Sequence, residues 1–240
     1  VSSFRPSPFI GASPEDDPAL RNQARVWSWI VNGLAMGLMV WLICAPTPVQ
    51  LPVWIAMAFP IGIMFLMRRY DGILKFSTRR GSREPDCALG AILPALGLWM
   101  RTMIDWSVAT WGHFWLPFMI VSGVMGALAF GIVPEVRRSN GTAVALGICL
   151  VGYAYGAVLN VNGMLATSPV VRYKARIESK YVTQGRHGDS YFFSLSPWGP
   201  REIPEDVHVS ETEYASHGIN DTVTVTMRDG CLGIPNFWVQ

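Results

Sequence analysis

The sequence predicts a membrane α-helical bundle of about five transmembrane helices, with four as the alternative, followed by a small C-terminal all-β domain. Three observations predict it. Residues 26–45, 51–67, 115–133 and 143–166 are apolar runs close to the roughly 20 residues that cross a bilayer core. A fifth run, 88–104, is shorter and carries Arg101. Beyond Thr167 to Pro169 the composition becomes that of soluble, strand-forming sequence. Only 15% of the 240 residues are charged, against roughly 25% in an average soluble domain, which disfavours a wholly water-soluble fold. Three parts follow: an N-terminal arm over 1–25, a transmembrane helical domain over 26–168 and an extramembrane β domain over 169–240.

The arm contains Pro6, Pro8, Gly11, Pro14 and an acidic stretch from Glu15 to Asp17, and reads as flexible. It lacks the basic n-region of a signal peptide, so 26–45 is expected to be a retained first span. The connection 46–52 is short and uncharged. The next one concentrates Arg68, Arg69, Lys75, Arg79, Arg80 and Arg83, which the positive-inside rule places in the cytoplasm, together with Arg21 and Arg25 of the N-terminus. If 88–104 crosses, Arg137 and Arg138 return to the cytoplasm and the tail emerges on the periplasmic or extracellular side. If it is re-entrant, four spans remain and the tail is cytoplasmic. A short basic loop resists translocation more than a soluble domain does, which favours five. Pro60, Pro94 and Pro117 are potential kinks or helix starts, and the tryptophans near the span ends suit an interfacial belt.

The tail alternates. Val171, Tyr173, Ala175 and Ile177 oppose Arg172, Lys174, Arg176 and Glu178, which predicts a half-buried strand over 170–183. A turn over 184–189, a strand over 191–195, a short strand over 207–209 and a strand over 221–227 follow. Residues 232–239 are expected to return as an edge strand. Ser210 and Glu213 stand at capping-box spacing for one helical turn. The fold expected is a small antiparallel sheet or partly closed barrel.

The tail also carries a resemblance. The run Tyr191-Phe-Phe-Ser-Leu-Ser-Pro-Trp-Gly-Pro200, the segment Tyr214 to Gly218, the valine-rich strand and Gly230-Cys-Leu-Gly-Ile-Pro235 are similar to the tail of uncharacterised proteobacterial multi-pass inner-membrane proteins with a C-terminal β module. The resemblance implies a bacterial inner-membrane location and supplies no catalytic residues.

Few constellations suggest chemistry. Arg101 and Asp105 lie one helical turn apart and, with His113, are the polar candidate within the membrane part, because ionisable groups there are costly. Small residues at helix-packing spacing are Gly33 and Gly37, Ser122 and Gly126, and Gly152 and Gly156. Asn160 and Asn162 read as polar residues at the water boundary, whereas Asn32 lies deeper and suits a bond between helices. Trp198, between Pro197 and Gly199, is a candidate partner contact, against the plainer reading of a turn tryptophan folded over the sheet. His187, His208 and His217 show no metal spacing, the four cysteines form no CxxC, and no basic stripe suggests nucleic acid. Metal, cofactor and nucleic acid are therefore not expected.

The function expected is that of a non-enzymatic accessory or interaction subunit of a bacterial inner-membrane or envelope complex. Its partners would be the lipid bilayer and other membrane or envelope subunits, or a second copy. The alternative is a small transporter or channel component using the region of Arg101 and Asp105.

Overall fold

The computed structural model describes residues 17–46, 50–76, 84–185 and 188–239. Two compact units divide the chain. One runs through Arg101 and resumes over Val121–Ala157; the other comprises Thr102–Ile120 and Val158–Gln240. The second unit thus takes in more than the tail after Thr167, because segments of the helical region belong to it.

Helix α1 spans Pro18–Cys44. It starts eight residues before the apolar run, because the Asp17 side chain accepts from the Ala19 amide at 2.8 Å and Pro18 stands at the first helical position. Residues 18–25 are therefore helical rather than part of an arm; the remainder of the expected arm lies outside the described residues. Helix α2 is Gln50–Arg69 and α3 is Ala88–Asp105, with Pro60 and Pro94 inside them. The two-residue strand β1 is Ser107–Val108. Helix α4 is Trp115–Ile132, with Pro117 in its first turn; the short α5 is Pro134–Arg138, and α6 is Asn140–Met164.

Among the described residues, four helices are long and apolar enough to cross a membrane: α1, α2, α4 and α6. Helix α3 forms where a fifth span was expected, yet it is not among them. Within the first unit it is an inner helix, burying Ala91, Leu93, Ala95 and Leu98. Neighbouring helices cover parts of that face. A Cβ on Gly90 would sit 2.6 Å from Val31 and 2.9 Å from Ile63; one on Gly97 would sit 2.8 Å from Leu42. As α3 advances from Gly90 to Gly97, its neighbours on α1 advance from Val31 to Leu42. The two helices are therefore parallel.

The described segments that follow α2 and α4 meet near the start of α3, where Lys75 bridges to Asp86. The Phe76 amide donates to Glu135 Oε2 at 2.8 Å, Thr142 donates to Glu135 Oε1 at 3.2 Å, and Arg138 pairs with Asp71 at 3.1 Å. Asn32 bridges α1 to the start of α3, donating to the Asp86 carbonyl at 3.1 Å and accepting from the Gly90 amide at 2.8 Å. That is the bond between helices expected of it.

The second unit holds a six-stranded antiparallel sheet of order β1-β6-β5-β2-β3-β4. Its further strands are β2 (Val171–Gly185), β3 (Gly188–Leu195), β4 (Glu205–Val209), β5 (Thr222–Asp229) and β6 (Pro235–Val239). Between β4 and β5 lies α7, Glu211–Ser216, with Ser210 and Glu213 forming the expected capping box. Strand β6 is not the edge, since it pairs with both β5 and β1. A strand of two residues offers too little pattern to be read from sequence. One face of the sheet builds a core from Ala175, Ile177, Phe193, Leu195, Val207, Val209, Val223, Val225 and Phe237. Arg201, after β3, donates to the Val108 carbonyl of β1 at 3.3 Å and to Glu205 at 2.8 Å. This link draws the two flanks of the open barrel together.

Candidate functional site

Of Arg101, Asp105 and His113, only Arg101 is buried. Arg101, 3% exposed, donates to the carbonyls of Ala45 at 2.8 Å and Leu42 at 3.2 Å. The last carbonyls of a helix lack partners within it, and its C-terminal end carries partial negative charge. The guanidinium satisfies both needs of α1 at once. Asp105 is half-buried and His113 is exposed, and both belong to the other unit. Of the small residues, Gly156 meets a neighbour: a Cβ there would lie 2.7 Å from the Leu98 backbone. Gly33, Gly37, Gly126 and Gly152 face open space, and the buried Ser122 hydroxyl has no hydrogen-bond partner among the described residues. The close approaches at Gly90 and Gly97 were missed because they lie seven apart, not four.

Asn160 and Asn162 are not boundary residues: neither has any exposed surface. A helix end facing water would leave such side chains solvated; here they face other parts of their own unit. Asn160 donates to the Thr102 hydroxyl at 2.8 Å. Asn162 holds the β5–β6 turn, donating to the Ile234 carbonyl at 2.8 Å and accepting from the Leu232 amide at 3.0 Å. Its backbone carbonyl accepts from the Cys231 amide at 3.0 Å. The turn itself uses Gly233 at φ +74°, a left-handed conformation that favours glycine. Arg228 adds bonds to the Ser168 carbonyl at 3.0 Å and to that of Ala166. The end of α6 and the sheet are thus pinned within one unit by buried polar contacts.

Trp198 is 3% exposed, and its ring packs against Phe237 and Tyr173 at centroid distances of 5.0 and 5.9 Å. It covers the core and presents no surface to a partner, which corrects its reading as a contact residue. Pro197 and Gly199 turn the chain back over the sheet, and that fold hides the ring.

The exposed aromatic surface lies elsewhere, and a β-bulge creates it. The β2–β3 register shifts between Ile177 and Ser179, so the alternation that buries Ala175 and Ile177 inverts beyond the bulge. Lys180 turns inward, its Nζ 4.1 Å from the Tyr214 ring centroid and bonded to the carbonyls of Tyr214 and His217. Tyr181 turns outward. Tyr181 is directly opposite Phe192, and Phe192 is directly opposite His208. The first two rings stack at 5.1 Å and the next pair meet edge-on at 5.4 Å. The Tyr181 hydroxyl donates to Asp206 at 3.0 Å. A row of three rings with one carboxylate therefore crosses β2, β3 and β4 on the face away from the core. Strict alternation from Ile177 onward would have turned Tyr181 inward, so sequence reasoning missed the row.

Among the described residues no group of three or more His, Cys, Asp or Glu could hold a metal ion; His187 lies outside them. Burial, with Glu135 and Asp86 nearby, pushes the Cys87 thiol up to about 12, which keeps it in the unreactive neutral form. No family model, curated protein or solved structure matches the chain.

Proposed function

We propose that the chain is a non-enzymatic integral membrane protein that crosses the bilayer five times and presents its β module to a protein partner on the non-cytoplasmic side. The membrane reading is supported by helices whose outer faces are broadly apolar. In α4, Leu116, Met119, Ile120, Val124 and Phe130 are all more than half exposed, whereas soluble proteins rarely show contiguous apolar patches above a few hundred Å². Five crossings, rather than four, are supported by α3. Its start bonds to Asn32, its end bonds to the α1 C-terminus, and the Arg138 segment returns to Asp71 at the starting end. Arg68, Arg69, Arg137 and Arg138 then share one side, as the positive-inside rule requires.

The observation that carries the interaction reading is the solvent-facing row of Tyr181, Phe192 and His208. Aromatic residues are enriched at binding hot spots because they bury large area at small entropic cost. By the resemblance of the tail, the membrane is the bacterial inner membrane and the partner an envelope or membrane-complex subunit, or a second copy. The transporter reading is weaker, because Arg101 is committed to backbone carbonyls.

Two experiments test this. Paired periplasmic and cytoplasmic reporters fused after Gln240 should show a periplasmic C-terminus; a cytoplasmic signal would restore four spans. A photo-crosslinking amino acid at position 181 should trap one discrete adduct in cells, and Phe192→Ser should reduce it several-fold. Only diffuse or absent adducts, with the chain stably expressed, would remove the partner surface.

A further inference from the structure

The first unit contains a recess that neither the topology nor the β module uses. Arg21, Arg25, Lys75 and Glu84 line a cavity of about 210 Å³ with Gly72, Ile73 and Pro85. Lys75 and Glu84 neutralise each other at 2.8 Å. Arg21 and Arg25 lie one turn apart on α1, and among the described residues neither side chain has a hydrogen-bond or ion-pair partner. Beyond that ion pair, the lining of this first recess is positively charged. It continues into a second, more open groove of about 570 Å³, which shares Arg25, Glu84 and Pro85 and adds Ser28, Trp29, Asn32, Asp86 and Leu89, so that Arg21, Arg25 and Lys75 still outnumber the carboxylates Glu84 and Asp86 across the two. Trp29 is 77% exposed and Leu89 45% exposed. The groove's wall is fixed, since Ser28 and Asn32 both bond the Asp86 carbonyl.

We propose that this pair of recesses binds one anionic phospholipid. Its phosphodiester headgroup sits between Arg21 and Arg25, and an acyl chain lies along Trp29 and Leu89. Guanidinium groups suit phosphate oxygens by their forked geometry. Basic pockets between helices on the cytoplasmic side are where anionic headgroups are held. The charge and the apolar continuation are both required: a free phosphate would use the first recess alone, and a zwitterionic lipid would gain little from the excess of positive charge. This inference rests on the membrane reading above.

The test uses the full chain purified in a non-ionic detergent and native mass spectrometry of lipid adducts. Phosphatidylglycerol, phosphatidylcholine and inorganic phosphate are the probes. We expect phosphatidylglycerol to bind, and the Arg21→Gln/Arg25→Gln double variant to need about tenfold more of it for equal occupancy. The Arg21→Lys/Arg25→Lys variant should keep most of the binding. Trp29→Ser should weaken phosphatidylglycerol without changing any response to phosphate. Equal occupancy in wild type and the double glutamine variant would overturn the proposal. So would phosphatidylcholine binding as tightly as phosphatidylglycerol, or phosphate displacing the lipid at matched concentrations. A chain that stays monodisperse in buffer without detergent would instead sink the membrane reading itself, and that is scored before any lipid is added.

Discussion

Asn162→Leu is expected to detach the β5–β6 turn from the end of α6, at a cost of about 3–5 kcal/mol to the second unit. The leucine fills a similar volume but leaves the Leu232 and Ile234 amides without their side-chain acceptor, each worth roughly 1–3 kcal/mol when buried, and the Ile234 carbonyl keeps only its bond from the Gly230 amide. A loss of that size is a large share of the roughly 5–15 kcal/mol that holds a typical domain together. Hydrogen exchange on the detergent-solubilised chain should show lost protection over residues 230–239, while the interior of α2 stays unchanged. Asn162→Asp keeps an acceptor for the Leu232 amide, but as a carboxylate it cannot donate to the Ile234 carbonyl, so it should lose part of the same protection. Unchanged protection in both variants would mean that the bonds of Asn162 do not hold the turn.

Arg101→Met is expected to destabilise the first unit by about 3–4 kcal/mol. The side chain is nearly as long, so packing is largely kept, but two charge-assisted bonds to the α1 carbonyls are lost, each worth roughly 1.5–3 kcal/mol. Arg101→Lys keeps the charge at the negative end of the helix but replaces a planar fork with a point charge, so it should recover about half of the loss. Thermal unfolding in detergent, followed by far-ultraviolet circular dichroism, measures both. If Arg101→Met unfolds at the wild-type temperature yet alters ion flux in vesicles, the residue serves transport rather than capping, and the transporter reading revives.

Legibility differed between the two parts for identifiable reasons. The long apolar helices follow from runs too uniform for other structure, and the capping box at Ser210 and Glu213 is a local device whose residues lie within one turn. Ala175 and Ile177 were placed correctly because alternation is local until something interrupts it. The interruption, a single extra residue after Ile177, changes no composition and leaves no signature. It nonetheless decides that Lys180 is covered and Tyr181 shown. Asn160 and Asn162 failed for a different reason: an asparagine near a helix end reads the same whether water or a distant turn meets it. Trp198 failed as a partner contact because a ring beside a Pro-Gly turn is hidden or displayed according to how the turn closes.

By itself the sequence determined the elements: four long apolar runs and a shorter fifth, each of them helix-forming, a strand-rich tail, and basic loops segregated from the apolar runs. Such properties are sums over neighbouring residues, and hydrophobicity and hydrogen bonding within a segment suffice to set them. Only the tertiary structure decided that α3 is an inner helix parallel to α1, that Ser107–Val108 completes the sheet, and that Asn162 and Arg101 spend their polarity on distant backbone. These outcomes depend on which buried donor meets which acceptor across 56 to 72 residues of chain. A choice made at that range is settled by the packing of whole elements, which no local pattern records.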